Sequence, residues 1–344
     1  MAYTAVDKST DYFNTVTWTG DGTSSRDITG VGFQPDFTWI KQRNGTFSHV
    51  LGNSVSGDNK FLTTNGNSAE STDSTKFRTF VSDGFQVGSH NGVNGSSNTY
   101  VGWSWLGGGT ASSNTDGSVT SNVSANTTSG FSICTFTATG SSMTFGHGLG
   151  VAPNLVIWKR RDSSTNGDWA TSSDSQGWTN YMTLNNTTAN QSGSTRFGSA
   201  PTSSVVTVGA ETVSSGTYVA YCFASKKGFS KFGSYEGNGN SNGTFIHTGF
   251  KPAFVITKRI DTGGDNWHIL DSTRDIDNPA EEVISANSSS AEGTTVTSYL
   301  DFLSNGFKCR GTGSSINTDG LTYLYIAFAE SPFVTSTGIP TTAR

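Results

Sequence analysis

Five histidines, three cysteines and a scatter of carboxylates are the residues of this 344-residue chain that could do chemistry. His49, His90, His147, His247 and His268 show no metal-ligand spacing, and neither His-x-x-x-His nor Cys-x-x-Cys occurs. Cys134, Cys222 and Cys309 build no disulfide framework and suit small buried thiols. Glycoside hydrolysis needs two carboxyl groups facing each other across about 5–10 Å. Glu281 and Glu282 are adjacent, and neighbours on a strand point to opposite faces. There is no Gly-x-Ser-x-Gly elbow and no phosphate-binding loop. The chain is therefore expected to have no catalytic residue, no cofactor and no metal, and not to be an enzyme. Asn114-Thr115-Asp116-Gly117 and Asn317-Thr318-Asp319-Gly320 look like acidic loops, but the other oxygens that calcium requires are not visible, and a plain turn is the better account. The remaining chemistry is aromatic. Trp169 and Trp178, and Trp267 with His268, fall in polar stretches. Aromatic faces in polar loops can stack on sugars, so these four are the candidate glycan or surface contacts. Trp169 and Trp267 also sit at comparable distances after a proline, 16 (169 − 153) and 15 (267 − 252), and a shared repeat position points first to a core role.

The elements that would position these residues come from a repeat. Gly32-Phe33-Gln34-Pro35-Asp36-Phe37-Thr38-Trp39-Ile40-Lys41 returns as Gly150 to Lys159 around Pro153 and as Gly249 to Lys258 around Pro252. Each copy is a Gly-x-x-Pro turn, an alternating apolar run and then basic residues. Proline donates no hydrogen bond and fits just before a strand. Alternation puts Phe37 with Trp39, Leu155 with Ile157 and Phe254 with Ile256 on one apolar face. The basic groups Lys41/Arg43, Lys159/Arg160/Arg161 and Lys258/Arg259 are expected to be solvated strand ends. An aromatic residue stands seventeen positions before each proline: Trp18 (35 − 18), Phe136 (153 − 136) and Tyr235 (252 − 235). A Thr-Tyr strand closes each copy at Tyr100, Tyr218 and Tyr323, at 65 (100 − 35), 65 (218 − 153) and 71 (323 − 252) residues after the proline. These spacings establish an internal triplication. Asp83-Gly84 and Asn305-Gly306 mark a hairpin in copies one and three, where glycine would supply positive φ; copy two has lost it.

Glycine is abundant (42 residues), proline scarce (7) and only 14% of residues are charged, a composition of short strands and polar turns. The expected fold is all-β: three tandem β-sandwich (jelly-roll-like) domains at 1–106, 131–226 and 227–334. A Gly/Ser/Thr/Asn-rich linker at 107–130 and a polar tail at 335–344 complete the chain. The linker composition predicts that domain one is hinged and can unfold by itself, although Val119 and Val123 could lay part of the linker along a sheet. The net charge of −5 and the lack of a basic stripe argue against nucleic acid. The N-terminus has no hydrophobic signal region, and no apolar run reaches the roughly 20 residues of a membrane helix. Synthesis in the cytoplasm without standard export or membrane insertion is the expectation.

Three groups of segments carry a resemblance. The first is Thr115 to Asn126 with Gly130-Phe131-Ser132-Ile133 and His147 to Pro153; the others are Phe232 to Asn240 and Ile326 to Phe333. Together with the opening Ala2-Tyr3-Thr4, they resemble a family of repeat-built virion proteins of tailed bacteriophages, notably those of marine bacteria. The likeness spans essentially the whole chain and brings no catalytic residues with it. It implies a structural protein on the particle surface, tail-associated as a fibre or adhesin, with other virion proteins as partners and host-surface glycan as a contact. Assembly as a homotrimer is expected on symmetry grounds. A head-decoration or head-fibre protein is the alternative, and a free carbohydrate-binding module or lectin the second. The lack of a secretion signal argues against the last, because phage proteins leave the cell by lysis.

Overall fold

A computed structural model describes residues 3–193, 196–209, 215–294 and 299–341. The first two residues and the last three of the expected polar tail lie outside the described residues. The chain is built almost wholly of antiparallel strands. Among the described residues, no helix is long and apolar enough to cross a membrane.

Each repeat has one main sheet made of the same four strands. An opening strand (Phe13–Thr19, Phe131–Ala138, Ser230–Glu236) pairs with the closing strand (Thr99–Trp105, Gly216–Phe223, Thr322–Pro332). The closing strand pairs on its other side with the proline strand (Phe37–Gln42, Leu155–Arg160, Phe250–Arg259). The proline strand pairs with a short fourth strand (Val50–Asn53, Ala170–Ser173, His268–Asp271). First and last strands of a copy are thus neighbours, and Trp18, Phe136 and Tyr235 lie opposite Tyr100, Tyr218 and Tyr323. The three pairs stack alike, with ring centroids 5.4, 5.6 and 5.2 Å apart. Pro35 and Pro153 precede their strands; Pro252 lies inside its strand, where a register break absorbs it.

A small second sheet covers one face of each main sheet. In repeat one it comprises Arg26–Thr29, Gly84–Val87 and Phe77–Val81, and in repeat three Phe245–His247, Gly306–Cys309 and Leu300–Leu303. Among the described residues, repeat two has the strands Met143–Gly146 and Val205–Val208 here, with a bridge from Phe197 to Val208. Gly84 has the expected positive φ (151°), and both hairpin glycines also allow a close approach of backbone. A Cβ on Gly84 would meet the Ile28 carbonyl oxygen at 1.9 Å, and one on Gly306 the Ile246 oxygen at 2.0 Å. The mixed face of each main sheet packs in this sandwich: Ile40 and Tyr100 lie with Ile28, Phe85 and Val87 in repeat one, and Val156 and Trp158 with Phe145 and Val206 in repeat two.

The more apolar face of each main sheet points the other way, into one core shared by all three repeats. Phe37, Trp39, Trp103 and Trp105 meet Phe131, Leu155, Tyr221 and Phe223 there, together with Phe254, Ile256, Ile326 and Phe328. Phe328 is the hub. Its ring packs against Phe13 and Trp105 of repeat one, Phe223 of repeat two and Phe254 of repeat three. The repeats therefore surround a pseudo-three-fold axis instead of forming a string.

The expected linker is not a hinge. Ser112–Asn114 and Ser121–Asn126 are strands, and the second pairs along Phe131–Ala138, extending the repeat-two sheet to eight strands. Val123 is buried in that sandwich, and Asn122 before it faces solvent. The ends of the chain close the ring: Tyr3 and Thr4 donate hydrogen bonds to the carbonyls of Gly249 and Lys227, Val6 is buried, and Ser336 bonds to Asp7.

A shared core makes the repeats one cooperative unit. Phe328→Ala removes a buried aromatic side chain, at a cost of about 3–5 kcal/mol. Calorimetry is expected to show a single, lowered transition, and limited proteolysis no protected fragment beginning near Gly130; a surviving fragment of repeats two and three would contradict the shared core.

Candidate functional site

The tryptophans expected at the surface are inside. Trp169 and Trp267 are 1% and 0% exposed, Trp178 is buried and His268 is partly so. The polar stretches that surround them are seams between repeats, not free loops. Trp169 Nε1 donates to the Thr63 carbonyl of repeat one at 2.8 Å, and Trp267 Nε1 to the Thr183 carbonyl of repeat two at 3.2 Å. The backbone N–H of each is held by an asparagine two strands on, Asn185 and Asn287. Trp178 lies within repeat two, where Nε1 donates to Asp174. Burial lowers His268 to about 4. None of the four presents a face to a ligand.

The third seam closes repeat three onto repeat one, and there the equivalent residue is His49. Its backbone N–H is held by Asn65, and its Nε2 lies 3.1 Å from the carbonyls of both Ser285 and Ser288. Sequence comparison could have found it, since His49 follows its proline by 14 (49 − 35) residues, close to the tryptophan spacing.

The basic strand ends also belong to the seams. Lys41, Lys159 and Lys258 are fully buried, because the neighbouring repeat covers the end of each proline strand. Lys159 Nζ donates to the Asn67 carbonyl across one seam and Lys258 Nζ to the Thr187 carbonyl across the next, whereas Lys41 bonds within its own repeat. Burial lowers all three to about 8. Arg161 makes two hydrogen bonds to Glu70, and Arg43 reaches Glu292 and Glu282. Ile260 takes the arginine's place at the third position, and its carbonyl accepts from Asn190. Asp271 accepts from Trp103 Nε1 and pairs with the buried Arg274.

Where the seams reach the surface, two grooves open at equivalent places. One of about 250 Å³ is lined by Thr17, Thr19, Thr99 and Arg43 beside the rings of Trp18 and Tyr100. Its counterpart of about 240 Å³ is lined by Thr135, Thr137, Thr217 and Arg161 beside Phe136, with Thr120 and Asn122. Each arginine is clamped by carboxylate through Nε and Nη2, and Nη1 has no partner among the described residues. Repeat three has Ser234, Glu236, Thr322 and Ile260 at these positions and lacks the arginine. Hydroxyls around a fixed guanidinium and the edge of an aromatic ring can hydrogen-bond a neutral polyol while bringing little net charge, since the arginine is already paired.

The acidic loops are turns: Asp116 N–H is capped by the Asn114 side chain, and the buried Asn317 ties Asn238, Asn240 and Gly311 together. Cys134 and Cys222 lie on paired strands as free buried thiols.

Residues 8–332 match the family described as a domain of unknown function (DUF7483). The chain belongs to that family. The match takes in all three repeats. No curated protein matches the chain.

Two outcomes test the seams. Trp267→Ala is expected to lower the melting temperature strongly, because it opens a cavity worth about 3–5 kcal/mol; an unchanged melting temperature would return Trp267 to the surface. In the folded chain Lys159 loses its proton near pH 8, while in the unfolded chain it holds the proton to about 10.4, so between these values the unfolded state binds more protons. Its burial cost therefore fades as pH rises. The stability of the native chain relative to Lys159→Met is expected to increase from pH 8 to 10, measured by urea unfolding of both.

Proposed function

We propose that this chain is a structural protein displayed on the outside of a tailed-bacteriophage particle, tail-associated, contacting host-surface glycans through the two threonine–arginine grooves. The observation that carries the reading is the closed ring. A single core with each repeat braced by the next makes a rigid body, and its seams leave two like grooves on the outside. Ser, Thr and Asn dominate that surface, and weak sites in duplicate gain by avidity when both engage one polymer. The sequence likeness to phage virion proteins supplies the location. Other virion proteins are its partners, and a homotrimer of chains is its assembly on the tail.

A head-decoration protein is the second reading, favoured by one feature. The internal three-fold lets a single chain match a three-fold position on a particle without a homotrimer.

Antibody labelling of particles under the electron microscope tests the location. Label on the tail supports the first reading, label on the capsid the second, and unlabelled particles sink both. For the grooves, Thr19→Trp with Thr137→Trp fills both sites from exposed positions that make no bond across the seams. Particles carrying this variant are expected to adsorb several-fold more slowly at an unchanged melting temperature, and normal adsorption would remove the grooves from the account.

A further inference from the structure

The three seams are built on one plan, and the aromatic crossing of that plan is altered at one of them. At two seams an isoleucine on the proline strand, Ile157 or Ile256, accompanies a tryptophan, Trp169 or Trp267, whose N–H crosses to the next repeat. At the seam between repeats three and one the sizes are exchanged: Trp39 stands on the strand and His49 makes the crossing. Trp39 Nε1 donates to His49 Nδ1 at 2.8 Å. An indole nitrogen can only donate, so Nδ1 must be the unprotonated nitrogen and Nε2 carries the hydrogen that reaches the Ser285 and Ser288 carbonyls. The imidazole is locked neutral. A proton added to Nδ1 would face the indole N–H and break that bond.

This exchange falls at the one seam that the chain does not bridge in sequence. Repeats one and two are joined through the two strands at 112–126, and repeats two and three through the short stretch 224–229. Among the described residues, repeats three and one meet through side chains, the N-terminal arm and backbone bonds such as Glu292 N–H to the Arg43 carbonyl.

We infer that the seam between repeats three and one is an acid-released latch whose trigger is His49. One carboxylate of this seam also responds to acid: burial and the neighbouring Glu292 push Glu282 above its ordinary range, so it too loses charge toward acid and loosens its pair with Arg43, and only the comparison with a His49 variant separates its effect from that of the imidazole. Lys41, on the strand beside His49, opposes a second positive charge, and Glu292 favours the charge of Lys41. Arg43 is held by Glu282 and Glu292, and Glu292 also pairs with Arg274. Neutral groups supply its other contacts: Trp39, Asn65, Ser285 and Ser288. Burial, with the Lys41 charge, lowers His49 to about 3 in the closed ring. Once the seam opens, the ring should titrate near its ordinary value of about 6.5. Over the interval between, the open state takes a proton that the closed state refuses, so acid favours opening. Two pH units below about 6.5 correspond to a roughly 100-fold gain in the opening equilibrium.

The molecule carries its own reporters. One backbone amide crosses each seam at the same place: Glu292 to Arg43, Glu70 to Arg161 and Asn190 to Ile260. The seam between repeats one and two has an arginine–glutamate pair and no histidine at its crossing, so the Glu70 amide reads carboxylate protonation without histidine protonation. The seam between repeats two and three has no such pair, and His268 next to its Trp267 has no hydrogen-bond partner at Nδ1 among the described residues, so no histidine bond crosses there. Hydrogen exchange of the full chain at pH 7 and pH 4.5, corrected for intrinsic rates, is expected to show the Glu292 amide losing protection by up to roughly 100-fold, while the Glu70 and Asn190 amides change far less. His49→Gln, which can accept from Trp39 and donate to Ser285 without titrating, should remove that loss. Should His49→Gln fail to fold, the double change Trp39→Ile with His49→Trp restores the plan of the other seams and should do the same. Equal loss at all three amides, or acid sensitivity of Glu292 that persists in the folded variant, would overturn the latch.

Discussion

Each main sheet has two apolar faces, and a single sandwich can bury only one. That constraint organises everything else. The outer face is covered locally by the small second sheet. The inner face, with Phe37 and Trp105, Leu155 and Phe223, or Phe254 and Phe328, has no partner within its own repeat and is buried by the other two. Apolar surface returns about 25 cal/mol per Å² when removed from water. Three such faces left open would be a large liability, and closing them on one another removes it without an added element. The ring follows from the burial requirement.

Closure then sets the chemistry of the seams. Once the repeats lie side by side, the proline-strand ends and the segments after the fourth strands are pressed together. Their polar groups must find partners or bear the cost of desolvation. Thus the lysines bond to carbonyls, the tryptophan N–H groups cross to the next repeat, and Arg161 meets Glu70. The same burial that hides these ionisable groups moves them away from their ordinary titration ranges, which is why lysines near 8 and histidines well below 6.5 occur in a protein with no catalytic cluster described. Perturbed titration here has a structural origin, which the repetition of the lysine environment at three equivalent positions makes plain.

Exact repetition is relaxed only where it costs little in packing. Ile260 replaces arginine where Asn190 replaces glutamate, so both halves of a pair are absent together. Trp39 with His49 fills the space that Ile157 with Trp169 fills elsewhere, an exchange of volume between neighbours that keeps the core full. Such paired departures leave the backbone plan intact while making one seam chemically unlike the others.

Much of the fold was legible in the sequence because it is written in local pattern. The proline-to-tyrosine spacing, the period-2 alternation and the stacked pairs at Trp18, Phe136 and Tyr235 depend on strand geometry within one repeat, and residues close in the pattern are close in space. The site was less legible. Trp169 and Trp267 lie among Ser, Thr and Asn, which composition associates with solvent, yet a second repeat covers them. Lys41, Lys159 and Lys258 end their strands, where charge normally marks emergence into water, and they too are covered. The segment 112–126 has the composition of a linker and is a pair of strands because the edge of Phe131–Ala138 was free to receive it. The sequence by itself determined the three copies, their strands and which faces are apolar. Only the tertiary structure decided that those faces meet on one axis, because burial between repeats depends on surfaces brought together by the whole chain and leaves no period in any one stretch of it.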